Sequence, residues 1–365
     1  PMLDVPGLGW TNETAVTFRD ANIDNDEFIE QYARMPSVTS IDELVALQAE
    51  YQGVPFFNTV AADSTGLVWY ADTSATPNLT AEAEFAFRTD LLNDPMTRSA
   101  YANGLVLLDG STGTTRWEEV PGARDPGLVP FAEMPRLRRS DHVFNANDSF
   151  WVPNAGITLD GDYSILHGEQ QVPLSMRSRQ NAAVIGNDNR AGLAGDDGLF
   201  TGEELRDAVF VNTGRTAVLL KDAAVDACRL FPQVDVPALL DDAGAESLPA
   251  ATVDLTEACD VLAGWDGVYD LDRAGPVVWR ETIQRFGRDA FLGAGVLFAD
   301  AFDPADPTRT PATPAADQGP MLDVPGLGWT NETAVTFRDA NIDNDEFIEQ
   351  YARMPSVTSI DELVA

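Results

Sequence analysis

Residues 320–365 of this chain repeat residues 1–46 without one substitution. Two identical segments compete for one place in a fold, so at most 319 residues of distinct sequence specify the structure. Solenoid repeats recur roughly every 20–50 residues and diverge at their caps. An exact period of 319 does neither. The pattern reads as a join where a longer sequence wraps onto itself, with a recent duplication as the other reading. Either way one copy is expected to pack and the other to be redundant. The expected organisation is a domain over 1–304, a Pro-rich linker over 305–319 and the duplicate over 320–365.

With 44% apolar residues the chain can bury a substantial core. Acidic residues outnumber basic ones 59 to 23, a formal net charge of -36 that repels phosphates. Nucleic acid and anionic membranes are therefore excluded as partners. No run of about 18 apolar residues is present, and the first residues show neither the basic nor the apolar region of a secretion signal. Cys228 and Cys259 are the only cysteines and lack a metal-binding spacing, which leaves two buried thiols or one disulfide.

Patterning along the chain places strands first and helices after. Ser40 and Glu43 read as a capping box ahead of Leu44, Leu47 and Tyr51 at helical spacing. Phe56 to Ala61 and Leu67 to Ala71 read as a hairpin joined by Ser64-Thr65-Gly66. A second hairpin is expected around Gly110 and Gly113, and HVFNANDSFWV reads as a strand ending in a polar turn. Thr201 with Glu204 and Asp254 with Glu257 read as further capping boxes. This order argues for an α+β architecture.

Histidine occurs only at 142 and 167, too few for a zinc-protease helix or a three-histidine metal site. Walker, GxGxxG and GxSxG patterns are absent. Asp20, Asn22, Asp24 and Asp26 mimic a calcium loop, but Asn25 stands where glycine is needed and Gln31 where a bidentate glutamate is needed. The stretch favours a polar turn into a helix around Phe28 to Met35. In SDHVFNANDSFWVPN, the amides of Asn145 and Asn147 can either fix a turn or face a developing oxyanion.

Three segments in register resemble the β-chain of the penicillin amidase family: FFNTVAADSTGLVWYADTSATPN, FNANDSFW and LAGWDGVYDLDRAGPVVWRE. The last is most similar to the acyl-homoserine-lactone and aculeacin acylase branch, and the resemblance runs from about Pro1 to Pro304. It implies an N-terminal-nucleophile hydrolase: α+β, a partial αββα sandwich with a helical second half. Such zymogens cleave themselves to free a serine whose hydroxyl attacks an amide and whose α-amino group is the base, so neither histidine nor a cofactor is required. By position the resemblance assigns the oxyanion to Asn147, with Asn145 as the fallback, and a supporting role to Arg177. Trp265, Asp266, Gly267, Tyr269 and Asp270 are read as structural, a Trp-Asp-Gly turn packing an aromatic ring.

In the family the serine precedes the equivalent of PMLDVPGLGW. The chain is thus expected to be an internal piece, inactive alone, completed by an α-chain and the N-terminal part of the β-chain. The implied reaction removes an acyl chain from an amine such as an N-acyl homoserine lactone, a lipopeptide or a β-lactam nucleus. The implied location is the periplasm or outside the cell. The alternative is an acidic extracellular binding module without catalysis, stabilised by calcium. A third reading is a self-sufficient hydrolase with an unrecognised nucleophile.

Overall fold

A computed structural model describes Asn12 and residues 15–186, 193–195, 197, 199–240 and 246–315. Pro1 and the second copy of the repeat lie outside these residues. The larger of two units holds the described residues up to Pro232 and from Asp254 onward, and the smaller holds those within Gln233–Val253.

In the larger unit, the acidic stretch before helix α1 (Glu27–Arg34) forms a turn of its own side chains. Asn25 accepts from the backbone of Phe28 and donates to Asn22 and to the carbonyl of Gly53. Helix α2 (Ile41–Tyr51) starts where Ser40 Oγ accepts from Glu43 N at 3.2 Å. The Glu43 carboxylate reaches one residue further back than a capping box requires, to Thr39 N. Strands β1 (Asn58–Ala62) and β2 (Val68–Asp72) form the expected hairpin, and β3 (Arg136–Arg139) adds antiparallel to β2. At the hairpin turn Asp63 Oδ1 accepts from Thr65 N and Leu67 N, and Gly66 takes φ +86°.

The sheet is covered on both faces because its side chains alternate. Trp69 and Ala71 pack against Ile41 and Leu44 of α2. Gln48 ties the two layers, accepting from Trp69 Nε1 at 3.1 Å and donating to Thr59 Oγ1 at 2.8 Å. On the opposite face Tyr70 packs with Val143 and Phe150.

Residues 142–152 are irregular where a strand was expected. Val143-Phe144 and Phe150-Trp151-Val152 are buried as neighbours, so burial does not alternate, and side-chain bonds of Asn145 replace a ladder. The stretch around Gly110 and Gly113 is likewise turns rather than a hairpin, held by Asp109 accepting from Ser111 N and Thr115 Oγ1. Helices α3 (Ala81–Asn93) and α4 (Pro95–Ala102) precede it.

The second half carries α5 (Met176–Asn181), which runs into a wider π turn at Ala182–Gly186, then α6 (Gly202–Val209), α7 (Arg215–Leu230), α8 (Thr256–Gly264) and α9 (Gly275–Ile283). The Thr201 and Glu204 capping box forms with both reciprocal bonds. Asp254 makes no such box: its carboxylate caps Thr256 through N and Oγ1, and α8 begins one residue later than that box requires. Helices α7, α8 and α9 pack around Leu220, Leu262, Trp265 and Trp279. The Cys228–Cys259 disulfide joins α7 to α8 with Cα atoms 5.8 Å apart.

The Pro-rich stretch to residue 315 has no helix or strand but is tied down. The buried Arg179 guanidinium donates to the carbonyls of Arg309, at 2.8 Å, and Pro311. Ala299 N and Ala315 N bond to Thr313 O and Leu297 O. In the smaller unit, β4 (Gln233–Val236) pairs with β7 (Ala251–Asp254), and β5 (Leu239–Leu240) pairs antiparallel with β6 (Glu246–Leu248).

Trp265 sits in the expected turn, its indole donating to Val268 O at 2.7 Å while Gly267 takes φ +86°. The ring lies on Gly275, where a Cβ would come 2.2 Å from Trp265 Cγ. Gly275→Ala therefore overpacks this core and should cost about 1–3 kcal/mol in denaturant unfolding. An unchanged midpoint would contradict the packing.

Candidate functional site

The site is built on the face of the sheet that carries Tyr70. Asn58 and Asp72 are cross-strand partners at the end of the β1–β2 pair, and Tyr70 lies diagonally across from Asn58 on the same face. The Tyr70 hydroxyl donates to Asn58 Oδ1 at 2.7 Å. Its one hydrogen is then committed to Asn58. Burial pushes the Tyr70 hydroxyl far above the ordinary tyrosine range, with the nearby Asp72 carboxylate adding to the rise.

Asn145 accepts from Asn147 N at 2.7 Å and donates to Asp148 O at 3.2 Å. Its oxygen and its nitrogen are thereby both used in holding the turn. Asn147 adopts φ +67°, a left-handed conformation that asparagine tolerates better than most side chains. Downstream, Asp148 Oδ2 accepts from Ser175 N and Oγ at 2.8 and 2.7 Å, joining the turn to the start of α5. Ser149 Oγ donates to Glu169 O at 2.6 Å. Gly168 crosses Ser149 so closely that a Cβ there would lie 2.7 Å from Ser149 Cβ.

Asn147 is exposed and lines a cavity of about 330 Å³ together with Asn58, Asp72, Tyr101, His167, Glu169, Arg288 and the apolar Val172, Pro173 and Leu174. Asn145 supports this wall rather than lining it. Arg177 is exposed on α5 and does not line the cavity, and the bonds that hold the asparagine turn come from Asn145 and Asp148. Asn58, Asp72 and His167 were missed by sequence reasoning. Pairing the predicted hairpin residue by residue would have placed Asn58 beside Asp72, whereas His167 carried no local motif. Among the described residues, no group of three or more His, Cys, Asp or Glu side chains is placed to hold a metal ion.

His167 is 8% exposed. Thr76 Oγ1 donates its hydrogen to Ser74 O at 3.0 Å, so the 3.3 Å contact with His167 Nδ1 has the ring nitrogen donating. Nε2 is buried without a partner among the described residues. Burial pulls the imidazole pKa below its ordinary value, against the opposing pull of Asp72 and Glu84.

The fold and cavity define a mixed α and β protein that presents a side-chain amide from a strained turn into a polar pocket. The chain matches the family model described as penicillin amidase over residues 2–352, and it belongs to that family. It is 33% identical over 317 residues to aculeacin-A acylase of Actinoplanes utahensis, an alignment covering 86% of this chain and 37% of that protein. It is 29% identical over 313 residues to the acyl-homoserine lactone acylase PvdQ of Pseudomonas fluorescens Pf-5, covering 85% of this chain and 35% of that protein. A PvdQ of Pseudomonas fluorescens Pf0-1 is 30% identical over 312 residues, with 85% and 35% covered. The chain thus spans little more than a third of the length of these relatives.

The buried neutral histidine makes stability depend on pH. Unfolded histidine takes up a proton near pH 6.5, the folded one only at lower pH, so between those values the unfolded state binds more protons. Stability from His167 is complete above that window and falls as pH drops through it, by at most about 1.4 kcal/mol per pH unit. Relative to His167→Gln, the native protein should lose stability between pH 7 and 5 in denaturant titrations. Parallel curves would contradict the assignment.

Proposed function

We propose that this chain is part of an N-terminal-nucleophile amide hydrolase, within a partial αββα sandwich, and that Asn147 is its side-chain oxyanion donor. The observation that carries this is the Asn145–Asp148 turn, which spends the Asn145 amide internally and leaves Asn147 exposed at the cavity. This supports Asn147 over Asn145.

The nucleophile is a serine at a freed N-terminus, contributed by sequence outside this chain and generated by self-cleavage. Its hydroxyl adds to the amide carbonyl while its α-amino group accepts the proton, and Asn147 Nδ2 donates to the oxygen that becomes anionic. The amino group returns the proton to the departing amine, and water then cleaves the acyl ester. No cofactor takes part. The substrates are acyl amides such as N-acyl homoserine lactones or acylated peptide nuclei, on the strength of what the relatives are named for. The protein works in the periplasm or outside the cell, which the Cys228–Cys259 disulfide supports.

In the full-length protein, Asn147→Ala should lower kcat on a chromogenic acyl amide by about a hundredfold or more. Unchanged kcat would remove Asn147 from the reaction. In the same protein isolated from its source without reductant, Cys228 and Cys259 should be recovered as a linked pair, and free thiols at these two positions would contradict the exported location.

A further inference from the structure

Asn147 is not the only amide at this cavity. A primary amide carries one acceptor and two donors, and which end points where is settled by its hydrogen-bond partners. At Asn58 the acceptor end is committed, because the Tyr70 hydroxyl has its single hydrogen on Asn58 Oδ1 at 2.7 Å. The phenol is fully buried, and burial raises its pKa and so favours the protonated, donating form. The Asn58 NH2 group has no partner among the described residues, and Asn58 is exposed and lines the cavity opposite its strand partner Asp72.

Resting on the acyl-amide reading of this site, we propose that Asn58 is a second substrate-binding amide, its NH2 group turned to the cavity by the phenol of Tyr70, which acts as a positioning residue. The ligand atom it takes is a hydrogen-bond acceptor. Asp72, Asp148 and Glu169 line the same cavity against one cation, Arg288, and that balance disfavours an anionic group. Asn58 therefore recognises an uncharged oxygen of the substrate, a carbonyl, lactone or carboxamide, apart from the scissile bond. Binding of this kind is made equally in the ground and transition states, so its loss appears in KM and leaves kcat.

The test uses the full-length protein, an N-acyl homoserine lactone as probe, and the variants Asn58→Ala, Asn58→Asp and Tyr70→Phe, with circular dichroism confirming that each folds. Asn58→Asp keeps an oxygen that accepts from Tyr70 and removes the NH2 donors while adding a charge beside Asp72, so it is read together with the uncharged Asn58→Ala. Both Asn58 variants should raise KM about tenfold or more with kcat within about threefold, the signature of lost uniform binding. Tyr70→Phe should raise KM in the same direction, and its effect should not add to that of Asn58→Ala. Native KM in Asn58→Asp would show that the residue only holds Tyr70, and native KM in both Asn58 variants would likewise overturn the proposal. If Asn147→Ala loses kcat while the Asn58 variants behave as native protein, the hydrolase reading stands and this inference falls. If the native protein turns over no acyl amide, both fall.

Discussion

The seating of the asparagine turn on the sheet depends on Tyr70. Its ring is fully buried against Val143 and Phe150, on either side of the Asn145–Asp148 turn, and its hydroxyl bonds to Asn58 on the neighbouring strand. Burying a phenol without partners for its hydroxyl costs a few kcal/mol, so packing and hydrogen bonding must be satisfied together. The same contact that builds the core therefore fixes the orientation of the Asn58 amide at the cavity rim. That coupling of core to site is the means by which an exposed, irregular segment holds a defined shape.

The rest of the turn repeats this logic. Asn145 bonds to its neighbours through both its oxygen and its nitrogen, Asp148 is bound to the start of α5, and Gly168 allows the closing segment to approach Ser149. Asn147 is left in a left-handed conformation with its side chain outside the network. The Asn147 amide therefore has no internal bond to break when an acceptor arrives at the cavity.

Much of this was legible in the sequence where local chemistry decides the structure. The β1–β2 hairpin follows from two apolar runs around Asp63 and Gly66, and the capping box at Thr201 and the Trp265 turn follow from side chains bonding to nearby backbone. Asp254 misled because the same carboxylate can cap Thr256 two residues on, a choice that spacing does not reveal. The segment around Asn145 misled because apparent alternation concealed adjacent buried pairs. Asn58, His167 and Arg288 reach one cavity only through strand pairing and long-range packing, so no window of sequence holds them together. The irregular stretch to residue 315 reads as linker by composition, yet Arg179, distant in sequence, pins it.

The most direct measurement is a crystal structure of the full-length protein bound to a neutral acyl amide analogue that becomes tetrahedral and anionic at the reacting carbon. The account predicts Asn147 Nδ2 within about 3 Å of the anionic oxygen, with Asn145 still bonded to Asn147 N. An oxygen held by other donors, with the Asn147 amide turned to solvent, would contradict it.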